Sequence, residues 1–229
     1  MHNIVYIVVE GQTEQTFVRE VLAPWMANRE IFLIPTLIGK PGHKGGDIRF
    51  ARAKEDIGRL LRQRNDTYIS TMFDYFRIEA NWPGREEIRK HISNGTALTA
   101  EQKAILLEDA SSYAIADEFQ NCNTKQRFIP YIEMHEFEAL LFSDPKSIAI
   151  KIGIDQAEID AILSKHPNPE DINEDPEMAP SKRLSNLKKD YRKVAMGKVV
   201  SEAIGIQKIS ERCLHFGGWI DKMGKLGRI

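Results

Sequence analysis

The sequence has few cysteines and no long apolar run, and these absences exclude several classes of protein. Cys122 and Cys213 lie far apart, and neither is near a second Cys or His at a zinc-finger spacing. No apolar run approaches the roughly 20 residues of a membrane helix, and the N-terminus lacks the basic and apolar regions of a signal peptide. We therefore expect a cytoplasmic protein without a membrane segment, whose cysteines are buried thiols, because disulfides are rare in that compartment.

An excess of charge of either sign is also missing. The 229 residues include 32 Lys and Arg and 33 Asp and Glu, which gives a net charge of -1. This balance excludes a bulk polycation, so any contact with nucleic acid has to come from a local basic patch. The length and the 42% of hydrophobic residues indicate one globular domain, or one domain with a smaller appendage.

Short apolar runs alternate with helical patterns in the first part of the chain. The predicted strands cover residues 4–9, 31–38, 68–73 and 128–133. Such alternation is typical of a mostly parallel sheet covered by helices. After Asp144 the patterns are helical, over residues 156–164, 181–193 and 199–214, with a Pro-rich acidic loop between the first two. We predict an α/β core over residues 1–144 and a helical C-terminal subdomain over residues 145–229, packed on the core.

Helix-capping residues mark the starts of three predicted helices. Thr13 is placed to cap the helix after the first strand. Thr99 and Gln102 form a capping-box pattern that opens a long helix through about Phe119. Asp47 is placed to cap a helix of roughly 17 residues with a largely basic surface. Two explanations of this basic surface stay open: it contacts the phosphate backbone of a nucleic acid, or it is the solvated face of an amphipathic helix.

Acidic residues recur where the predicted strands end. Glu10 follows the first strand, with Glu14 in the first turn of the next helix; Asp74 follows the third strand, and Glu136 and Glu138 follow the fourth. Parallel strands bring their carboxyl ends to one edge of a sheet, so we expect these acids to converge. Hard oxygen ligands suit Mg²⁺ or Mn²⁺, and phosphoryl transfer at such ions needs few other groups. Any single acid is also explained as a helix cap or a solvated charge, but Glu10, Glu14 and Asp74 together favour a metal site.

A glycine-rich basic loop follows the second predicted strand. Lys40, His43 and Lys44 supply positive charge there, and Gly45 and Gly46 let backbone amides approach an anion. The spacing is not that of a P-loop. A phosphate-binding loop and a flexible surface loop both remain open.

His135 and Glu136 match the first two residues of the H-E-x-x-H motif of zinc proteases. Ala139 occupies the position of the second histidine, which excludes this motif. A histidine at the end of an apolar strand is usually structural. The neighbouring acids also make His135 a candidate for contact with phosphate or nucleic acid. Four nearby aromatic residues are able to stack on bases, although core packing explains most of them: Tyr75, Phe76, Trp82 and Phe137.

The segment at residues 9–14 resembles the E-G-x-T-E signature of Toprim-type domains, which occur in topoisomerases, primases and the OLD (overcoming lysogenization defect) nucleases of phage defence. Over nearly its full length the chain is similar to a bacterial family catalogued as domain of unknown function 4276, which looks related to the Toprim group. The matching segments are residues 10–14, 44–46, 72–75, 82–84, 135–144, 181–184 and 213–216.

The resemblance to Toprim domains implies metal-dependent phosphodiester chemistry. It makes Glu10 a general base or metal ligand, and it places a D-x-D pair for Mg²⁺ on the third strand. This sequence has Asp74 at the first position of that pair but Phe76 at the second. Glu14, Glu136 or Glu138 then completes the site, or metal binding is weakened.

The leading hypothesis is a Toprim-like nuclease that cleaves DNA or RNA with Mg²⁺ or Mn²⁺ in antiphage or abortive-infection defence. Glu10, Glu14 and Asp74 are the predicted metal ligands, and Glu136 or Glu138 completes the shell or orients water. No nucleotide-binding motif is visible, so a separately encoded ATPase is the expected partner. One alternative is a catalytically silent module that binds a partner or nucleic acid; another is a small-molecule phosphotransferase or nucleotide hydrolase. The oligomeric state stays open.

Overall fold

Five parallel strands form the central sheet of the computed structural model, which describes residues 3–39, 48–172 and 176–226. The strand order is β2-β1-β3-β4, and β5 pairs with β3 beyond the end of β4. The strands are β1 Asn3–Val9, β2 Ile31–Leu37, β3 Thr67–Asp74, β4 Phe128–Ile129 and β5 Ile132–Glu133. The predicted α/β fold with a mostly parallel sheet is therefore confirmed.

Helices cover both faces of the sheet and form the C-terminal region. In the first part they are α1 Gln12–Phe17, α2 Ala23–Ala27, α3 Phe50–Gln63, α4 Arg85–Ser93, α5 Ala100–Glu118, α6 Thr124–Arg127 and α7 Glu138–Leu141. The later helices are α8 Pro145–Ile148, α9 Gln156–Leu163, α10 Pro180–Leu187, α11 Lys193–Ile204, α12 Ile206–Arg212 and α13 Leu214–Gly224. Two π-helical segments continue α1 and α8, at Val18–Leu22 and Ala149–Gly153. Short 3₁₀ turns lie at Gln120–Cys122, Pro169–Asp171 and Pro176–Met178.

Alternation along β1 divides the core into two clusters. Val5, Ile7 and Val9 pack into a cluster with α1, α2 and the C-terminal helices, whereas Val8 faces a second cluster with α3 and α5. Successive side chains of a strand point to opposite faces, which explains this division. The first cluster contains residues from both sides of the predicted boundary at Asp144, which itself stays a prediction.

The fourth predicted strand is interrupted, and this corrects the single strand predicted over residues 128–133. Pro130 has no N–H to donate to the ladder, and β4 ends at Ile129. The Thr71 side chain bridges the gap: its Oγ1 accepts from Tyr131 N at 2.9 Å and donates to Tyr131 O at 3.0 Å. Pairing with β3 then resumes at Ile132, so Glu133 lies beside Asp74 at the end of the sheet.

The capping predictions had different outcomes. The Thr99–Gln102 capping box is confirmed, because each residue's side chain bonds the backbone N–H of the other. Thr13 is not the cap of α1, since Gly11 takes that position and Thr13 lies inside the helix. Asp47 lies outside the described residues. The helices predicted over residues 181–193 and 199–214 were misplaced, because α10 ends at Leu187, α11 begins at Lys193 and α12 and α13 meet at Cys213.

Buried acids join the C-terminal helices to the sheet. Glu108 Oε1 on α5 accepts from Ile132 N at 2.9 Å and lies 2.9 Å from His215 Nε2. Glu170 accepts from the N–H groups of His215 and Phe216 in the first turn of α13, at 3.0 and 2.9 Å. A carboxylate at a helix N-terminus satisfies free amides and complements the helix dipole. We call Glu108, Glu170 and His215 the interior network.

Both cysteines are free thiols, as expected; Cys213 is buried as predicted, whereas Cys122 is only half-buried. Within the part of the chain that the structure describes, no helix has the length and apolar character required to cross a bilayer.

Candidate functional site

Acidic side chains from three segments of the chain meet at the carboxyl edge of the sheet. Glu10 directly follows β1 and Asp74 ends β3, and the two strands are neighbours with parallel register. Glu14 lies in the first turn of α1, and Glu136 and Glu138 lie just beyond β5 at the start of α7. We call these five acids, which are the predicted catalytic residues, the rim cluster. The structure places all five at the predicted edge.

Four of the five acids have one oxygen held by a close contact of 2.6–3.1 Å. The Arg77 guanidinium contacts Glu10, and backbone amides, which carry no net charge, bind the other three. The contacts are Arg77 Nε to Glu10 Oε1 at 2.6 Å, Gly11 N to Glu14 Oε2 at 3.0 Å, Phe137 N to Asp74 Oδ1 at 3.0 Å and Ser181 N to Glu136 Oε2 at 3.1 Å.

Burial and mutual repulsion raise the pKa values of four acids of the rim cluster: Glu10, Glu14, Asp74 and Glu138. Burial, together with the charge of Glu14, raises the pKa of Glu10 to about 7 against the opposing effect of Arg77. Burial also raises the pKa of Glu138 to about 7. The pKa of Asp74 is well above its usual range, first through burial and then through the charges of the other four acids. These effects require the acids to be near one another.

Lys193, at the start of α11, faces the rim cluster. Its Nζ lies 3.6 Å from Glu138 Oε1, and its side chain is 48% exposed. Burial alone would lower the pKa of Lys193, but the charges of Glu138 and Glu136 raise it. Tyr191 lies close by, with a pKa raised by burial and then by Glu138 and Glu136.

Sequence reasoning missed Lys193 and Arg77. Lys193 belongs to a basic stretch of the helical region with no local signal, because only tertiary packing brings it to the sheet. Arg77 had a signal, since it follows Asp74 by three residues.

Oxygen atoms of the rim cluster remain available to a cation. Glu10 Oε2 and Glu138 Oε1 are buried and have no hydrogen-bond partner. A buried carboxylate oxygen without a partner is costly, and Mg²⁺ and Mn²⁺ prefer such hard oxygen donors. The donor set therefore fits the predicted ion chemically.

The rim cluster is not a preassembled coordination shell. Among residues 3–39, 48–172 and 176–226, no group of three or more His, Cys, Asp or Glu side chains is arranged to hold a metal ion. The convergence of Glu10, Glu14 and Asp74 is a structural fact, whereas their role as metal ligands stays a prediction.

The predicted phosphate-binding residues Lys40, Lys44, Gly45 and Gly46 lie outside the described residues. His135 is 4% exposed and lies next to the rim cluster. Burial, and then the positive charge of Lys103, lowers its pKa to about 4, so the ring is neutral at pH 7. Any contact of His135 with nucleic acid would therefore use a hydrogen bond rather than charge.

The aromatic residues near the site have two different environments. Trp82 and Phe137 are core residues: Trp82 packs edge-on against Phe73 with centroids 5.8 Å apart, and Phe137 lies 5.0 Å from Phe17. Tyr75 and Phe76 instead line an open cavity together with His135. Core packing is thus confirmed for two of the four candidates.

Comparison with known proteins gives one match. No curated protein and no solved structure matches the chain. The model of one family matches residues 9–224, which include every described member of the rim cluster and Lys193. The chain therefore belongs to the family described as a domain of unknown function (DUF4276).

Proposed function

We propose that the protein is a divalent-cation-dependent hydrolase that cleaves phosphodiester bonds in nucleic acid at the rim cluster. The observation that carries this proposal is the convergence of five acids, three buried and two half-buried, at the carboxyl edge of a parallel sheet, with two carboxylate oxygens that have no hydrogen-bond partner. Structural acids are normally satisfied by hydrogen bonds or ion pairs. Acids with strongly raised pKa values in a cleft are candidates for function.

A divalent cation would stabilise the ionised form of the rim cluster. Glu10, Glu14 and Asp74 would hold it, and Glu136 or Glu138 would complete the shell. When bound, such an ion activates water and polarises a phosphoryl oxygen. The proposal thereby accounts for a cluster whose negative charges repel one another in the protein alone.

The residues of the chain have separate roles in this proposal. Arg77 holds one oxygen of Glu10 and fixes the direction of the other, Oε2. The pKa of Glu10 is about 7 in the protein alone, and a bound cation would favour its ionised form as a ligand. Lys193 remains charged and half-exposed at the cluster, so it can contact a phosphate of the substrate.

The proposed biological setting rests on the resemblance to Toprim-type nucleases of phage defence. In that setting the protein would act in the cytoplasm with a separately encoded ATPase, because its sequence shows no P-loop. The setting and the chemistry are separable, since a cleavage assay needs no assumption about defence.

A cleavage panel tests the proposed chemistry. Plasmid DNA and tRNA would be incubated with the protein, alone and with its ATPase partner, in Mg²⁺, in Mn²⁺ and in EDTA. We expect metal-dependent cleavage that falls at least about 100-fold in Glu10→Gln and in Asp74→Asn, the scale of loss for a group that acts in the transition state. Glu118→Gln is the matched control, because Glu118 is exposed and pairs with Lys54 away from the rim cluster.

Absence of cleavage of either substrate by the wild-type protein, with both metals and with the ATPase present, contradicts the proposal. Equal cleavage by wild type and Glu10→Gln contradicts the assignment of the site. Circular dichroism of each variant separates loss of activity from loss of folding.

A silent binding module is the second candidate, favoured by Phe76 at the second position of the D-x-D pair and by the lack of a preassembled shell. Calorimetric titration with Mn²⁺ distinguishes the two functions. Absence of binding, or equal binding in wild type and Glu10→Gln, supports the silent module. Turnover of free nucleotides without cleavage of nucleic acid supports a nucleotide hydrolase instead.

A further inference from the structure

A cavity of about 520 Å³ lies beside the rim cluster and is not used by the proposed chemistry. This volume falls within the range of about 300–1,000 Å³ that small-molecule sites occupy. Its walls come from the segment after β3, the segment after β5, the end of α4 with the following loop, and α5. The lining residues are Tyr75, Phe76, Ile92, Gly95, Thr96, Ala97, Leu98, Lys103 and His135.

One wall of the cavity is a set of fixed aromatic rings. Phe76 is half-buried and stacks on His135, with centroids 5.2 Å apart and an interplanar angle of 23°. Tyr75 packs edge-on against both rings, at 5.7 Å from Phe76 and 5.3 Å from His135. The Arg85 guanidinium lies 4.0 Å over the Tyr75 ring and restrains it. These contacts hold the aromatic surface in place before a ligand arrives, which lowers the entropic cost of binding.

The ring of His135 contributes a polar atom without a partner. His135 is 4% exposed and its Nδ1 has no hydrogen-bond partner. A buried polar atom without a partner is costly, which favours a ligand able to form a hydrogen bond with this nitrogen.

Lys103 gives the cavity a positive charge. It is half-buried on α5, and among the described residues no carboxylate lies within ion-pair distance of its Nζ. An unpaired Lys at the edge of an aromatic cavity suits a phosphate attached to a planar ring. Ile92, which lines the cavity and is 57% exposed, adds apolar surface that suits the same kind of ligand.

We infer that this cavity receives one unpaired base of a single-stranded nucleic acid, with the base on Phe76 and Tyr75 and a neighbouring phosphate at Lys103. Stacking on aromatic rings needs an open face of the base, which a duplex does not offer. The cavity and the rim cluster share two stretches of backbone, since Tyr75 follows Asp74 and His135 precedes Glu136. The inference that the bound base lies next to the cleaved phosphodiester bond rests on the proposed function. The inference that the cavity binds a base does not.

Equilibrium binding tests the inference without cleavage. Fluorescent 12-nucleotide single strands of DNA and RNA, and the matching duplexes, would be titrated with full-length protein in EDTA. We expect the single strands to bind at least about ten-fold more tightly than the duplexes. Phe76→Ala should weaken single-strand binding by about 5- to 150-fold, the effect of losing one stacked base. Phe76→Trp should retain binding, and Tyr113→Ala on α5 is the control, because Tyr113 is 77% exposed and does not line the cavity.

Two further measurements locate the base and the phosphate. An abasic site moved along the strand should weaken binding at one position only, and that difference should vanish in Phe76→Ala. Lys103→Gln should reduce the slope of log Kd against log salt by about 0.7, the value for one phosphate contact on a single strand. If Phe76→Ala does not fold, Phe76→Leu replaces it, since leucine keeps apolar volume but removes the ring.

Equal affinity for single strands and duplexes, or a flat abasic scan, overturns the inference, as does the absence of binding to any strand. The proposed function fails separately: strands that bind in a Phe76-dependent way but are never cut with Mg²⁺ or Mn²⁺ leave the base site intact and remove the nuclease.

Discussion

The rim cluster and the interior network both bury carboxylates, but their oxygens have different surroundings. In the interior network, both oxygens of Glu170 accept backbone N–H groups, and Glu108 Oε1 contacts a backbone amide and the His215 ring. In the rim cluster, Glu10 Oε2 and Glu138 Oε1 have no hydrogen-bond partner. The interior acids stabilise the packing of the C-terminal helices. The rim acids keep capacity for a ligand, and their mutual repulsion lowers the stability of the ionised protein.

Removal of an interior acid should give the largest loss of stability. Glu108→Ala should reduce the free energy of unfolding by about 3–5 kcal/mol, because it leaves the buried His215 without its charged partner. Thermal unfolding at pH 7 measures the effect, which corresponds to roughly 6–20 °C for a chain of this size. Glu101→Ala, an exposed change on the same helix, should shift the midpoint little. A small effect of Glu108→Ala would mean that the two groups of acids do not differ as described.

Metal should stabilise the protein through the rim cluster alone. At Mn²⁺ concentrations about 100 times the Kd, the free energy of unfolding should rise by about 2.7 kcal/mol. Differential scanning fluorimetry at pH 7.5 would show the rise in wild type and in Glu108→Gln. The same rise in a Glu10→Gln, Asp74→Asn double variant would show that the ion binds elsewhere.

The pH dependence should run opposite to that of ordinary paired acids. Glu10 has a pKa of about 7 in the folded protein against its ordinary value of 4.5, so the folded state binds more protons between these values. Stability is then fully present below about pH 4.5 and decreases as the pH rises through about 7. We expect the free energy of unfolding in metal-free buffer to be about 2 kcal/mol higher at pH 5 than at pH 8.

The rise in the pKa of His215 acts in the same direction above pH 6.5, so a variant is needed to assign the effect. Although burial opposes it, the hydrogen bond to Glu108 and the charge of that residue raise this pKa. The pH effect should shrink in Glu10→Gln. An unchanged effect in that variant would show that Glu10 is not its source, and an effect that is also unchanged in Glu138→Gln and Asp74→Asn would point to the interior network.

Neutralisation of one rim acid should give the smallest effect, and it should be a gain. Glu138→Gln keeps the shape of a side chain that is 2% exposed and removes one repelling charge. We expect about 1 kcal/mol of added stability at pH 8 without metal, and no gain at pH 5. Glu158→Gln, on the exposed surface of α9, is the control. A loss of stability in Glu138→Gln would show that its contact with Lys193 outweighs the repulsion.

Local patterns in the sequence were sufficient to predict the strands and the edge where the acids meet. The β-branched run before Glu10 determines β1, and the rule that parallel strands share a carboxyl edge places Asp74 beside it. The break in the fourth strand at Pro130 could also be predicted, because proline has no N–H to donate to the ladder. The hydrogen bonds between the Thr71 hydroxyl and Tyr131 that bridge this break could not be predicted, since the two residues are 60 positions apart.

Of the two positive charges at the site, that of Lys193 could not be predicted. Lys193 reaches the rim cluster through the packing of α11 against α1 and α7, and no period or motif near residue 193 indicates such a contact. Tertiary structure likewise determines the partner of most of the acids. For example, the backbone N–H of Phe137 donates a hydrogen bond to Asp74, which lies 63 residues earlier in the chain.

The position of Lys193 has a consequence for synthesis on the ribosome. All five acids of the rim cluster emerge within the first 138 residues, whereas the lysine that faces them emerges 55 residues later. Chains fold from the N-terminus during synthesis. For that interval the nascent sheet carries its acids without this countercharge, so the site is completed only when α11 docks on the finished sheet.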